Sequence, residues 1–255
     1  MPDLADWISA VRRSHDRFAA LVRPLDDEQV QHPSYADDWS IAQVASHLGS
    51  QAEIFDLVLD AGLTGAPAPG IEQFRPLWEK WDGRPAPQQV ADSVQANEEF
   101  VSRVEGLSEA DRTRFAVSMF GRDLDLSGFL AMRLGEHALH TWDVAVALDL
   151  SAVVSPDAVD LLIDTLPGTV AHAGRAAAEA RTLALETVDP IRRFILTTGP
   201  EVTLAHDSGT EPVQLILPAE ELIRLVYGRL DPDVTSAELP GHEVVPELLE
   251  VFPGF

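Results

Sequence analysis

The sequence predicts an α+β protein: an up-down four-helix bundle over residues 1–150, then a small α+β domain over residues 151–255. Three observations predict it. The first half carries long stretches of helically spaced apolar residues with short connections, as helix bundles do. The second half changes to short apolar runs broken by Pro, Gly and Asp. At 255 residues, 45% of them hydrophobic, the chain is long enough to bury two such cores.

Asp3 to Leu25 reads as a helix. Leu4, Trp7, Ile8, Val11, Phe18, Leu21 and Val22 recur at helical spacing, and Pro24 stops it. Residues 26–38 are polar and turn-like, ending in Ala36-Asp37-Asp38-Trp39. Ser40 followed by Gln43 is a capping-box pattern with Trp39 as a hydrophobic staple, so a second helix starts at Ser40 and ends at Gly62. Thr64 to Gly70, with Pro67 and Pro69, is a loop. Helices follow over Ile71–Trp81 and about Gln88–Val104, interrupted by Pro85 and Pro87. Ser108–Arg112 is a cap-like turn, and Phe115–Phe120 and Arg122–Leu126, split by Gly121, form a small extended piece. The last helix of this half spans about Ser127–Leu148.

In the second half, Ser155-Pro156-Asp157 starts a helix with proline at its first position, running to Leu166. An Ala-rich helical piece is expected over Thr169–Ala180. Strands are expected over Arg193–Thr198, Val202–His206 and Val213–Leu217, then helices over Pro218–Tyr227 and Val244–Phe252.

The formal charge is −24, from 42 acidic and 18 basic residues. Such a chain repels phosphate backbones and anionic membranes, which excludes general nucleic-acid binding. No apolar run is long enough to span a bilayer, and the N-terminus has no signal-peptide pattern. A cytoplasmic protein is expected, as a monomer or small homo-oligomer. There are no cysteines. That excludes disulfides, thiolate metal sites and a protein-borne thiol nucleophile, and leaves His, Asp and Glu to hold any metal.

Glu136 and His140 stand four apart on one expected helix, so their side chains share a face. His47 lies mid-helix on another, flanked by apolar residues, where a polar group needs a buried partner or a metal. Together they would give a divalent ion two imidazoles and a carboxylate with a position left open, the donor set of catalytic zinc. Nickel, iron or manganese would also accept it. Taken alone the spacing is a weak signal: a Glu-x-x-x-His pair on a helix is common as a solvated pair, and a lone mid-helix histidine is more often a satisfied core residue. What favours a metal is both features in one bundle, where ligands come from facing helices. His137 points about 100° away from the pair and is not read as a ligand. Asp143 either orients His140 from behind or sits at the surface. Gln51, four beyond His47, is placed to line the open face. His15 and His32 read as surface or loop residues, and His172, His206 and His242 have no companions at ligand spacing.

Two strings resemble a known family. Trp39-Ser40-Ile41-Ala42-Gln43-Val44-Ala45-Ser46-His47-Leu48 and Arg133-Leu134-Gly135-Glu136-His137-Ala138-Leu139-His140-Thr141-Trp142-Asp143 are similar to the metal-binding motifs of the mycothiol-dependent maleylpyruvate isomerase family. That family consists of DinB-like metalloenzyme bundles joined to a C-terminal domain related to sterol-carrier proteins. The tail is similar too: Pro218-Ala219-Glu220-Glu221-Leu222 leads to Tyr227-Gly228-Arg229 and the ending Phe252-Pro253-Gly254-Phe255. The resemblance implies zinc at His47, Glu136 and His140, mycothiol as an external thiol, and a second-domain arginine gripping the carboxylate of a small-molecule substrate. Arg229 is the candidate for that arginine and Arg224 the second choice; Arg229 equally suits a charge satisfying the last carbonyls of a helix. By this resemblance the metal lowers the pKa of a bound thiol, whose thiolate adds to an activated double bond. Rotation and expulsion give cis–trans isomerisation, and a retained adduct gives S-transfer. Two other readings stand beside these: a non-catalytic metal- or ligand-binding protein, and a metal-dependent hydrolase with Asp143 or Glu53 as base.

Overall fold

Helix α1 (Leu4–Val22) begins on a reciprocal cap, in which Asp3 accepts from the Asp6 amide and Asp6 accepts from the Asp3 amide, both at 2.9 Å. Helix α2 (Ile41–Thr64) begins the same way on Ser40 and Gln43, as its sequence requires. In this computed structural model, residues 2–36, 38–119, 121–209, 211–231 and 240–254 are described. Helix α2 does not stop at Gly62, the expected end. It runs on to Gly65, whose φ of 72° is the left-handed conformation that glycine adopts without strain. Gly62 has a different role: a Cβ there would lie 2.3 Å from the Phe115 ring, so the missing side chain admits an aromatic neighbour.

Helices α3 (Ile71–Asp82) and α4 (Ala86–Glu105) follow, then α5 (Glu109–Arg114), a six-residue helix capped by Ser108 where a turn was expected. Strands β1 (Val117–Met119) and β2 (Arg122–Leu124) form a small antiparallel hairpin. The expected extended piece ends on Phe120, which lies outside the described residues. Helix α6 (Leu126–Leu148) starts on Asp125, which accepts from the Gly128 amide at 2.8 Å. The four long helices form a ring in which α1 touches α4 and α6, and α2 touches the same two. Consecutive α1 and α2 therefore lie across the diagonal, and α2 is brought beside α6. The chain divides into two units, Met1–Val153 and Val154–Phe255, and this bundle is the first.

The second unit opens with α7 (Pro156–Leu162), a 3-10 turn over Ile163–Thr165 and α8 (Leu166–Ala173). Strands β3 (Arg181–Val188), β4 (Arg192–Thr198), β5 (Thr203–His206) and β6 (Leu215–Pro218) form a sheet in the order β5-β4-β3-β6, antiparallel except for the β3–β6 pair. Helices α9 (Ala219–Val226) and α10 (Val245–Val251) complete it, the latter after a 3-10 turn over His242–Val244.

Two expectations fail here. The Ala-rich run is not helical past Ala173: Gly174 turns extended with its Cα against Val202, and Ala177 donates to the Gly199 carbonyl at 2.8 Å. The central strand β3 was not anticipated at all. Its alternation of buried Leu183, Leu185 and Thr187 is blurred by buried Ala184 and by the helix-compatible alanines before it. A third correction concerns His15. It is buried on the inner face of α1, not at the surface, with Nε2 3.0 Å from Glu98 Oε2. Among the described residues no helix is long and apolar enough to cross a membrane.

Candidate metal centre

Because α2 and α6 are neighbours in the ring, His47 on one meets Glu136 and His140 on the other. His47 Nε2 lies 3.4 Å from Glu136 Oε2, and His140 Nε2 lies 3.9 Å from the same oxygen. Donor atoms of the three residues all fall within 4.8 Å of one another. Ligands held tetrahedrally at about 2.0–2.2 Å from an ion stand about 3.4 Å apart, so this donor set fits a small divalent cation with little adjustment.

The surroundings orient the donors. Asp143 is fully buried, and its Oδ2 is 2.8 Å from His140 Nδ1. That bond puts the proton on Nδ1 and leaves Nε2 as the lone pair facing Glu136, the arrangement of carboxylate-supported metal histidines. Asp143 is therefore the orienting residue, not a surface one. The Trp39 ring is stacked 6.0 Å from His140 and lies 5.2 Å from His47, against both imidazoles, whose own centroids are 4.6 Å apart. The sequence presents Trp39 only as a staple before a helix cap; an aromatic at that position on a ligand-bearing helix was the available signal. Gln51 Nε2 is 3.5 Å from His47 Nε2.

Beneath the donors, Arg133 is fully buried. It donates to Asn97 Oδ1 and to the Leu48 carbonyl, the residue after His47, at 3.4 Å. Burial draws its pKa down to about 10 against the opposing attraction of Glu136. His137 turns away from the donors as its helical phase requires, with Nδ1 2.8 Å from Ser14 Oγ and its ring edge-on to Phe18. Burial holds its pKa well below the ordinary histidine value, so it is neutral at pH 7.

Other expected candidates are committed elsewhere. Glu53 bonds Lys80 at 2.8 and 2.9 Å and the Trp81 indole at 3.0 Å, and Asp143 approaches His140 on its far side, so neither faces the donor atoms. A second cluster, His15, Asp16 and Glu98, also brings donor atoms together. There the Arg12 guanidinium already holds Glu98 at 2.6 Å, where a cation would have to displace it. In the second unit, Arg224 is buried and paired with Glu220 at 2.7 and 2.8 Å. Arg229 donates to the Tyr227 carbonyl at the end of α9 at 3.0 Å, which is the helix-terminal contact its position suggested.

A protein of Geobacillus thermodenitrificans (strain NG80-2), named provisionally as a metal-dependent hydrolase, is 32% identical to this chain over 118 residues. The match covers 44% of this chain and 65% of that protein. Crystal structures of the mycothiol-dependent maleylpyruvate isomerase and of a histidine-to-alanine mutant of it superpose with a TM-score of 0.66, at 16% and 15% identity. Each alignment covers 89% of this chain and 90% of the solved chain, and the likeness is one of fold. The family described as the mycothiol maleylpyruvate isomerase N-terminal domain matches residues 11–145, a segment holding all three donors and Asp143. The chain belongs to the mycothiol maleylpyruvate isomerase N-terminal domain family.

Proposed function

We propose that this protein is a zinc-dependent enzyme that works with mycothiol as an external thiol, acting as a cis–trans isomerase of the maleylpyruvate isomerase type. The observation that carries the reading is the convergence of His47, Glu136 and His140 from two adjacent helices, with His140 set by buried Asp143. Three protein donors leave a fourth position for a reactant, as catalytic zinc sites do. A bound ion would supply Lewis acidity that lowers a thiol's pKa, and mycothiol would supply that thiol for chemistry at an activated double bond. The absence of cysteine is consistent with a thiol that comes from outside. The cytoplasm, which keeps thiols reduced, is the proposed setting.

The chain's own residues would do the rest. His47, Glu136 and His140 hold the ion; Asp143 keeps the His140 proton on Nδ1. Trp39, against both imidazoles, excludes water from that side. Arg229 is our candidate for the guanidinium that binds a substrate carboxylate, on the family resemblance of the Tyr227-Gly228-Arg229 segment.

The test is turnover of maleylpyruvate by zinc-loaded protein, with and without mycothiol, following both product and thiol. Isomer formed with catalytic mycothiol supports the isomerase. Stoichiometric thiol loss would make the protein an S-transferase instead. Zinc bound with no thiol-dependent turnover would favour a non-catalytic binding protein. His47→Ala is expected to retain the fold by circular dichroism and lose zinc by elemental analysis; full zinc occupancy in that variant would refute the site. Hydrolysis is the second reading, favoured by the name of the Geobacillus relative. Its two candidate bases, Glu53 and Asp143, are turned to other partners.

A further inference from the structure

A half-open cavity of about 510 Å³ lies in the first unit and shares Gln51 and Glu136 with the candidate metal centre. The volume is in the range of small-molecule sites. Beyond those two residues its wall is made by Ile54, Phe55, Phe74, Trp78, Met119 and Met132, and Ser118 is its other polar side chain. No lysine or arginine stands among the described residues that line it.

The arrangement follows from helix phase. On α2, His47, Gln51 and Ile54–Phe55 succeed one another at one-turn spacing along one face. On α6, His140, Glu136 and Met132 do so in the opposite chain direction. Both helices thus grade from metal donor through a polar residue to apolar wall. The apolar end lies about 10 Å from His47 along α2, by the rise of seven residues.

We infer that this cavity binds the apolar body of the substrate, whose polar reactive group sits at the metal centre. The substrate class is an amphipathic molecule with a tail the size of an octyl chain or a fused aryl group. A compact dicarboxylate of the maleylpyruvate kind would leave the apolar wall uncovered and would meet only Glu136 as a charged group there. This inference rests on the metal centre proposed above.

Two hydroxamates test it, because they share a metal-binding head and differ only in tail. Isothermal titration of the zinc-loaded full-length protein compares acetohydroxamic acid with octanohydroxamic acid. Octanohydroxamic acid is expected to bind at least about thirtyfold more tightly, less than half on a logarithmic scale of what about six fully buried methylenes would give. Met132→Trp, which fills the cavity one turn from Glu136, is expected to erase that preference while zinc content stays unchanged. Ile71→Lys, at a half-exposed wall position, is expected to weaken it. Equal affinities in the zinc-loaded protein would overturn the inference and leave the metal centre standing. Preference retained in Met132→Trp would place the tail elsewhere and overturn it too. No zinc uptake and no binding of either compound would sink the inference together with the metal centre.

Discussion

At the scale of single residues, the candidate centre is backed by one buried carboxylate. Asp143 makes no use of solvent; it is wholly enclosed and spends an oxygen on His140 Nδ1 at 2.8 Å. Replacing it with Asn keeps the shape and removes the charge that fixes the tautomer and raises ligand basicity. Asp143→Asn is expected to lower zinc affinity about 10–100-fold, measured by competition with a chromophoric chelator. An affinity equal to that of the parent would show that His140 needs no such support. That Glu136 and His140 share a face was legible in the sequence, because helical spacing dictates it; that His47 meets them was expected from the bundle and follows from α2 lying beside α6. Whether Asp143 faced the core or the solvent was not legible, since that depends on the rotation of α6 against its neighbours. Trp39 was read for its local role and missed for its distant one for the same reason.

At the scale of elements, small residues decide how closely the helices approach. Gly49 lies on α2 two residues past His47, and a Cβ there would fall 2.2 Å from the buried Trp81 ring of α3. Gly49→Ala is expected to destabilise the protein by about 1–3 kcal/mol through overpacking, read as a lower midpoint in urea unfolding. An unchanged midpoint would mean that Trp81 can shift without cost. Helix starts were legible at this scale, because Asp3 and Ser40 act through amides three residues away. Helix ends were less so. Gly62 looked like a stop, but its partner Phe115 is far along the chain, and no local pattern records such a contact. Strand β3 was hidden likewise: it is defined by pairing with β4 and β6, whereas the residues before it favour helix by composition.

At the scale of the whole molecule, stability should depend on acidity through enclosed histidines. Burial lowers the pKa of His15 from 6.5, and Glu98 opposes the shift without cancelling it. The unfolded chain therefore takes up a proton that the folded chain refuses. Above pH 6.5 the contribution is level; below it stability falls until the folded pKa is reached. The slope from one such group is at most about 1.4 kcal/mol per pH unit. Between about pH 6.5 and about pH 5.5, metal-free parent protein is expected to lose more stability than His15→Leu in urea unfolding. Parallel losses would overturn this account. Glu98 acts in a lower window: Arg12 holds its pKa near 2, so its contribution is lost only as the pH falls from 4.5 toward that value. The division into a helical bundle and a sheet-bearing unit was legible from the change in periodicity near the middle of the chain. The ring order of the bundle was not, because local periodicity says nothing about which helices become neighbours.

That ring order has a consequence for how such proteins diversify. The candidate metal donors and part of the cavity wall, Ile54, Phe55 and Met132, sit on the same two helices in different turns, while the rest of the wall comes from α3, β1 and the segment before α3. A lineage can therefore exchange Ile54, Phe55 or Met132 without touching His47, Glu136 or His140. On the function proposed above, substrate preference would then drift by single substitutions while the candidate centre is kept. Proteins built on this helix pair are then expected to differ from one another in what they act on before they differ in how they act.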